Sequence, residues 1–178
     1  MKLITFSLKD DPNISRIGAV KNDKIIDFYS SNLPNDMINF INLGDDGLKQ
    51  ASKIIDLSKT IYSYDEINVK APISVPNKIL AVGLNYKKHI DEAKEVTEHH
   101  SENVELQEQF PNIFNKQNSS VNDPYGDVHR PNASDWLDYE GELGIIIGKE
   151  CRHVTYENAI SCIYGFTIVN DFSVRDWQ

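Results

Sequence analysis

Three stretches of the chain carry residues whose types and spacing suit them to chemistry. In Asp138-Tyr139-Glu140-Gly141-Glu142-Leu143, an extended backbone points Glu140 and Glu142 to one side, with Cα atoms about 6.6 Å apart at a rise of roughly 3.3 Å per residue. Two carboxylates at that spacing can converge on one ion. Acids that run straight into an apolar strand are costly to desolvate unless something neutralises them, and a hard divalent cation with oxygen ligands does so. The other face, Leu137, Tyr139, Leu143, Ile145 and Ile147, is expected to be buried. A solvated strand end with ordinary surface acids accounts for the same spacing. Asp171 closes the apolar run that starts at Gly165 and can present a third carboxylate at the rim of a sheet. Three carboxylates and waters make an octahedral oxygen site suited to Mg²⁺ or Mn²⁺ with positions left open for substrate; in the alternative, Asp171 or Ser173 caps the next turn. The third stretch is Gly83 to Glu92, where a helix expected from Lys87 brings His89 and Glu92 within touching distance, three residues apart. A carboxylate on one ring nitrogen fixes the tautomer and raises the basicity of the other nitrogen, which is what a general base needs. An exposed His–acid pair of no consequence fits the same spacing, and His99, His100, His129 and His153 read as surface residues.

The elements that must position these residues follow from pattern. Lys2 to Leu8 alternates as a strand, and Arg16–Val20 and Lys24–Phe28 flank an Asn22-Asp23 tight turn, which makes a hairpin. Helices are expected over Asp36–Leu43 and Asp46–Leu57, the second with Leu48, Ala51, Ile54 and Ile55 on one face. Residues 1–71 therefore read as a small N-terminal α/β domain without evident chemistry. Pro72 and Pro76 bracket an extended link, and residues 72–178 read as a second domain dominated by strands. Its expected strands are Lys78–Gly83, Pro111–Lys116, one long strand from Trp136 to Lys149, and Gly165–Asp171. A turn at Asp123-Pro124-Tyr125-Gly126 and a helix from Thr155 to about Ile163 join them.

Composition narrows the function class. Of 178 residues, 18 are Lys or Arg and 27 are Asp or Glu, a formal charge of -9 with no compensating basic tract. That argues against nucleic acid as a partner, since phosphate neutralisation needs clustered cations. The charge is concentrated: Asp91, Glu92, Glu95, Glu98, Glu102, Glu105 and Glu108 face one base, Lys94, between His89 and Gln109. Such a run reads as a solvated helix face or a mobile excursion rather than as a specific cation site. No apolar run reaches the roughly 18 residues of a membrane span, and Met1 to Thr5 lacks the apolar core of a secretion signal, so no membrane association and a cytoplasmic location are expected. Cys151 and Cys162 lack CxxC spacing and read as two core or near-core thiols.

Four ordered blocks together resemble successive motifs of the fumarylacetoacetate hydrolase family. They are Pro76 to Tyr86 continuing to His89; Phe114-Asn115-Lys116; Asp138 to Leu143 with Ile147-Gly148-Lys149; and Gly165-Phe166 with Asn170 to Gln178. Met1 to Phe28 is similar to the small N-terminal domain of the family's acylpyruvase and 2-hydroxyhepta-2,4-diene-1,7-dioate isomerase-like branch. The resemblance implies an α+β, β-dominated fold, a mixed β-sandwich roll, commonly homodimeric. It implies Glu140, Glu142 and Asp171 as ligands of Mg²⁺ or Mn²⁺, with Ca²⁺ a third option, and His89 paired with Glu92 as the catalytic base. It places Lys116, Arg175 and Gln178 beside the substrate and makes 89–110 an acidic lid. The implied reaction is cleavage of a C–C bond in a small 2-oxo or 1,3-dioxo acid through a metal-stabilised enolate, by hydrolysis or decarboxylation, or isomerisation on the same enolate. The family pattern continues beyond the position of Gln178 through further strands, so a C-terminally truncated roll is expected. A catalytically silent family member serving as a binding or folding partner is the alternative.

Overall fold

A computed structural model describes residues 1–58, 60–88, 91 and 110–177 of the chain. Two compact units emerge, one formed by residues 1–74 with 122–178 and the other by residues 75–121.

The first unit opens with β1 (Leu3–Leu8), β2 (Arg16–Lys21) and β3 (Lys24–Asp27). Asn22 and Asp23 join the last two at φ values of 52° and 57°, the left-handed pair that a two-residue hairpin turn requires and that Asn and Asp tolerate best among L-residues. Two helices follow, α1 (Met37–Ile41) and α2 (Gly44–Leu57). Asp36 caps α1 by accepting from the Asn39 N–H, and Asp45 and Asp46 sit at the positive end of the α2 dipole. Then come β4 (Ile61–Tyr62) and β5 (Ile67–Lys70), completing an antiparallel sheet of order β4-β3-β2-β1-β5. Central β1 is covered on both faces, so Ile4 to Leu8 are all buried despite their alternating polarity. On one face Ile17, Ile26, Phe28, Phe40 and Ala51 make a core on which Leu48, Ile54 and Ile55 of α2 pack, the stripe that helical spacing predicts. Ile4, Phe6, Leu8, Ile25 and Ile67 fill the other face.

The second unit is a hairpin of β6 (Ile79–Gly83) and β7 (Asn112–Lys116), antiparallel with Ile79 opposite Lys116 and Gly83 opposite Asn112. Asn118 donates its side-chain amide to the Asn77 carbonyl at 3.2 Å, closing one end of the ladder. At the other end β6 stops at Gly83, and Leu84 takes φ 50°, a left-handed conformation that costs a branched side chain strain.

The first unit resumes at residue 122. The turn at Asp123–Gly126 forms as expected, with the Gly126 N–H on the Asp123 carbonyl at 2.9 Å. Asp123 also accepts from the Ala71 N–H at 2.9 Å and from Lys70 at 3.0 Å, pinning the turn to the end of β5. The single strand expected from Trp136 to Lys149 is two: β8 (Leu137–Asp138) and β9 (Gly141–Ile147). The cause is local. The Tyr139 N–H bonds the Asp138 side chain at 2.9 Å and the Glu140 N–H bonds the Asn170 side chain at 3.0 Å, so two consecutive amides leave the ladder. The helix expected from Thr155 to Ile163 is one α turn, α3 (Tyr156–Ala159), running into a 3-10 turn at Ile160–Cys162. Thr155 stands at its N-cap but takes its bond from the Asn158 side chain, not from a backbone amide, and four residues are too few to propagate. Last come β10 (Ile163–Asn170), antiparallel to β9, and β11 (Ser173–Val174), antiparallel to β8. The described residues are β-dominated with few helices, and no helix among them is long and apolar enough to cross a membrane.

Candidate metal centre

Register decides which side chains meet on the β9/β10 hairpin. Glu142 stands opposite Val169 and Gly141 opposite Asn170; at the next rung the Asp171 N–H donates to the Glu140 carbonyl at 2.8 Å. Directly opposed residues of an antiparallel pair share a face, and residues two apart on one strand share it too. Glu140, Glu142 and Asp171 therefore project from the same side of the hairpin, all three half-buried.

That side also carries Gly144 and Ile146, and Ile146 packs with Tyr164 against the N-terminal core. A Cβ on Gly144 would lie 2.8 Å from the methyl groups of Thr167 and Val169, so glycine here lets those side chains close over the strand. The opposite side is the reverse of what the sequence led us to expect. Tyr139, Leu143, Ile145 and Ile147 are exposed, as are Phe166 and Ile168 across the ladder, with Leu143 at 60% and Ile168 at 88%. The acidic face, not the apolar one, is turned toward the N-terminal core, because Ile146 and Tyr164 supply the contact with it.

Arg175 belongs to this site through Glu140. Its backbone N–H donates to the Trp136 carbonyl at 3.0 Å, just beyond the β8/β11 pair. From there the guanidinium reaches Asp138, with Nε and Nη2 each 2.9 Å from one carboxylate oxygen, and Nη2 also pairs with Glu140 Oε1. Burial works to lower the Arg175 pKa, and the hydrogen bonds to Asp138 and Glu140 outweigh it, so the net shift is upward and the charge is permanent. Arg175 in turn holds the Asp138 carboxyl below the usual range, helped by the Tyr139 N–H. Ser134 braces this corner. Its buried hydroxyl donates to Asp176 at 2.6 Å and accepts from the Trp136 N–H at 3.0 Å, tying the loop before β8 to the turn that carries Arg175.

Three hard oxygen donors on one face, next to a position already taken by a cationic guanidinium, fit a divalent metal in donor type and register. The side chains are not gathered: among the described residues no three His, Cys, Asp or Glu side chains lie close enough together to hold an ion. Lys116 ends β7 in the other unit, half-buried opposite Ile79. His89, Glu92, Gln178 and nearly all of the acidic 89–110 segment lie outside the described residues. Cys151 is an exposed free thiol and Cys162 a buried one, so only the second is a core thiol. Asp138 and Ser134 were not singled out from the sequence. Asp138 is two residues from Glu140 and shares its face in an extended chain, and Ser134-Asp135-Trp136 has the spacing of a hydroxyl that turns back on the amide two residues on.

Comparisons with known proteins agree with one another. The family model "Fumarylacetoacetate (FAA) hydrolase C-terminal" matches residues 78–178. The mitochondrial oxaloacetate tautomerase of Xenopus laevis is 35% identical over 182 residues, covering 100% of this chain and 54% of its own length. Among solved structures, a fumarylacetoacetate hydrolase from psychrophilic Exiguobacterium antarcticum superposes at a TM-score of 0.74 with 29% identity, covering 100% of this chain and 58% of that one. The maleylpyruvate hydrolase of Sphingobium sp. SYK-6, solved in complex with manganese(II) ion and pyruvate, gives 0.75 with 25% identity, covering 98% and 60%. This chain spans about half the length of the curated relatives it matches.

Proposed function

The chain belongs to the fumarylacetoacetate hydrolase family, and we propose that it carries the divalent-metal half of an enzyme site acting on a small 2-oxo or 1,3-dioxo acid. The observation that carries this reading is the β9/β10 register, which sends Glu140, Glu142 and Asp171 to one face. A related maleylpyruvate hydrolase holds manganese(II) and pyruvate, a small 2-oxo acid, which supports Mn²⁺ or Mg²⁺ and a substrate of that class here. The mixed β-sandwich roll, the division into a small N-terminal domain of 1–71 and a catalytic portion of 72–178, the 89–110 lid, a homodimer and a cytoplasmic location belong to the same proposal. Neither nucleic acid nor a membrane has a part in it.

When bound, the cation supplies Lewis-acid polarisation of the substrate's oxo and carboxylate oxygens. Glu140, Glu142 and Asp171 would hold it, their carboxylates offsetting its charge. His89, oriented by Glu92, moves the proton: from a water molecule for hydrolysis of a C–C bond, or from the carbon beside the carbonyl for tautomerisation, with decarboxylation a further outcome on the same skeleton. Lys116, Arg175 and Gln178 supply donors for the substrate carboxylates.

Titration of the 178-residue chain with Mn²⁺ by calorimetry is the direct test. The chain carrying both E140A and E142A should show no binding, and an unchanged affinity would sink the site. With Mn²⁺ present, H89A should leave metal affinity intact while removing turnover of oxaloacetate or an acylpyruvate; retained turnover would take His89 out of its role.

A further inference from the structure

We propose that Arg175 is the resident counter-ion of Glu140, which a divalent cation must displace, so that guanidinium and metal compete for one carboxylate while Asp138 serves as the pivot on which Arg175 turns away. The inference rests on the reading of Glu140, Glu142 and Asp171 as the cation site and adds to it a residue that sets how tightly that site binds.

Glu140 is mostly withdrawn from water, its side chain 17% exposed, and Arg175 is at 21%. An ionised carboxylate in that position needs a cation nearby, and here the cation is the guanidinium. Because the charge on Arg175 is permanent, no change of pH in the working range removes it. A divalent ion arriving at Glu140 would meet a like charge hydrogen-bonded to the very group that must ligate it.

Release from Glu140 does not require the guanidinium to enter solvent. Nε and Nη2 both reach the same Asp138 oxygen, so Arg175 stays anchored there when Glu140 leaves. Asp138 is in turn fixed by pairing across β8/β11, with Ser173 directly opposite. Two carboxylates bid for one guanidinium, and the one on Asp138 frees the one on Glu140. The two acids then have opposite effects on metal affinity once Arg175 is considered, which a purely structural role for this corner does not produce.

The test is Mn²⁺ affinity by calorimetry at pH 8 on the full 178-residue chain, with circular dichroism to establish folding. R175M should bind Mn²⁺ about tenfold more tightly than the wild type, within the usual span of coupling between two ligands of one site. R175K, which keeps a cation, should stay near wild type, and D138N, which removes the pivot while Glu140 still pairs with Arg175, should bind more weakly. A folded R175M with unchanged or weaker affinity overturns the proposal. If R175M does not fold, the D138N arm decides, and D138N binding as tightly as wild type overturns it. E142Q separates the two readings. Loss of binding in E142Q with no tightening in R175M removes only the competition, whereas no Mn²⁺ binding in wild type and R175M alike removes the metal centre with it.

Discussion

Ser134 shows how much of the site depends on one small side chain. Its hydroxyl satisfies both the Trp136 N–H and the Asp176 carboxylate from a buried position. S134A should therefore cost about 1–3 kcal/mol in urea denaturation, the cost of leaving such partners unmade, and a stability within error of wild type would show that the corner is held by its strands alone. A second residue-scale prediction concerns acid. Ser63 and Glu66 form a reciprocal cap, with the Ser63 hydroxyl at 2.6 Å and its N–H at 2.8 Å from Glu66, and these bonds hold the Glu66 pKa below its ordinary value of 4.5. A depressed carboxylate stabilises the fold at pH values above its unfolded pKa and ceases to as the pH falls through its folded one. E66Q should melt below wild type at pH 7, and the two melting curves should converge as the pH is taken well below 4.5; a gap that persists in acid would assign the effect to packing. What type and spacing made legible at this scale is that Glu140, Glu142 and Asp171 could share one face, and the β9/β10 register gives them that face. The pairing of Arg175 with Glu140 was not legible, because it depends on β8 and β11 meeting.

At the scale of elements, local signals read from the sequence hold where local chemistry governs. The Asn22-Asp23 turn and the α2 stripe are each set by a few neighbouring residues. The failures occur where a distant partner intervenes. The interruption at Tyr139 and Glu140 arises from side chains of Asp138 and Asn170 capturing strand amides, and Asn170 is thirty residues away. The exposed and covered faces of β9 were exchanged for the same reason, since alternation gives two faces but not which one meets the N-terminal core. Close packing between strands gives a further prediction. A Cβ on Gly18 would lie 2.3 Å from the Ile26 carbonyl oxygen, a backbone atom that cannot swing aside. G18A should destabilise by about 1–3 kcal/mol through forced separation of β2 and β3, and a neutral result in chemical denaturation would show that the hairpin slides to accommodate it.

Across the whole molecule, the prominent feature is the apolar side of the β9/β10 hairpin, where Leu143, Ile145, Ile147, Phe166 and Ile168 are all exposed. Contiguous apolar surface of this kind binds hydrophobic probes. The chain on its own should enhance ANS fluorescence, and the paired replacements F166S and I168T should reduce that signal; an unaltered signal would move the probe site elsewhere. The hairpin has another property with long reach. Its ladder is regular except between Ile163 and Gly165, where Tyr164 is an extra residue, so that Ile163 faces Ile147 and Gly165 faces Ile146. Counted without that bulge, Asn170, an amide, would stand across from Glu140. With it, the residue across from Glu140 is Asp171, a carboxylic acid. Tyr164 packs against the core of the five-stranded N-terminal sheet. A sheet that contributes none of these three residues thus helps to fix how many carboxyl groups this face of the hairpin presents, three while the bulge is kept and two if the strand is straightened.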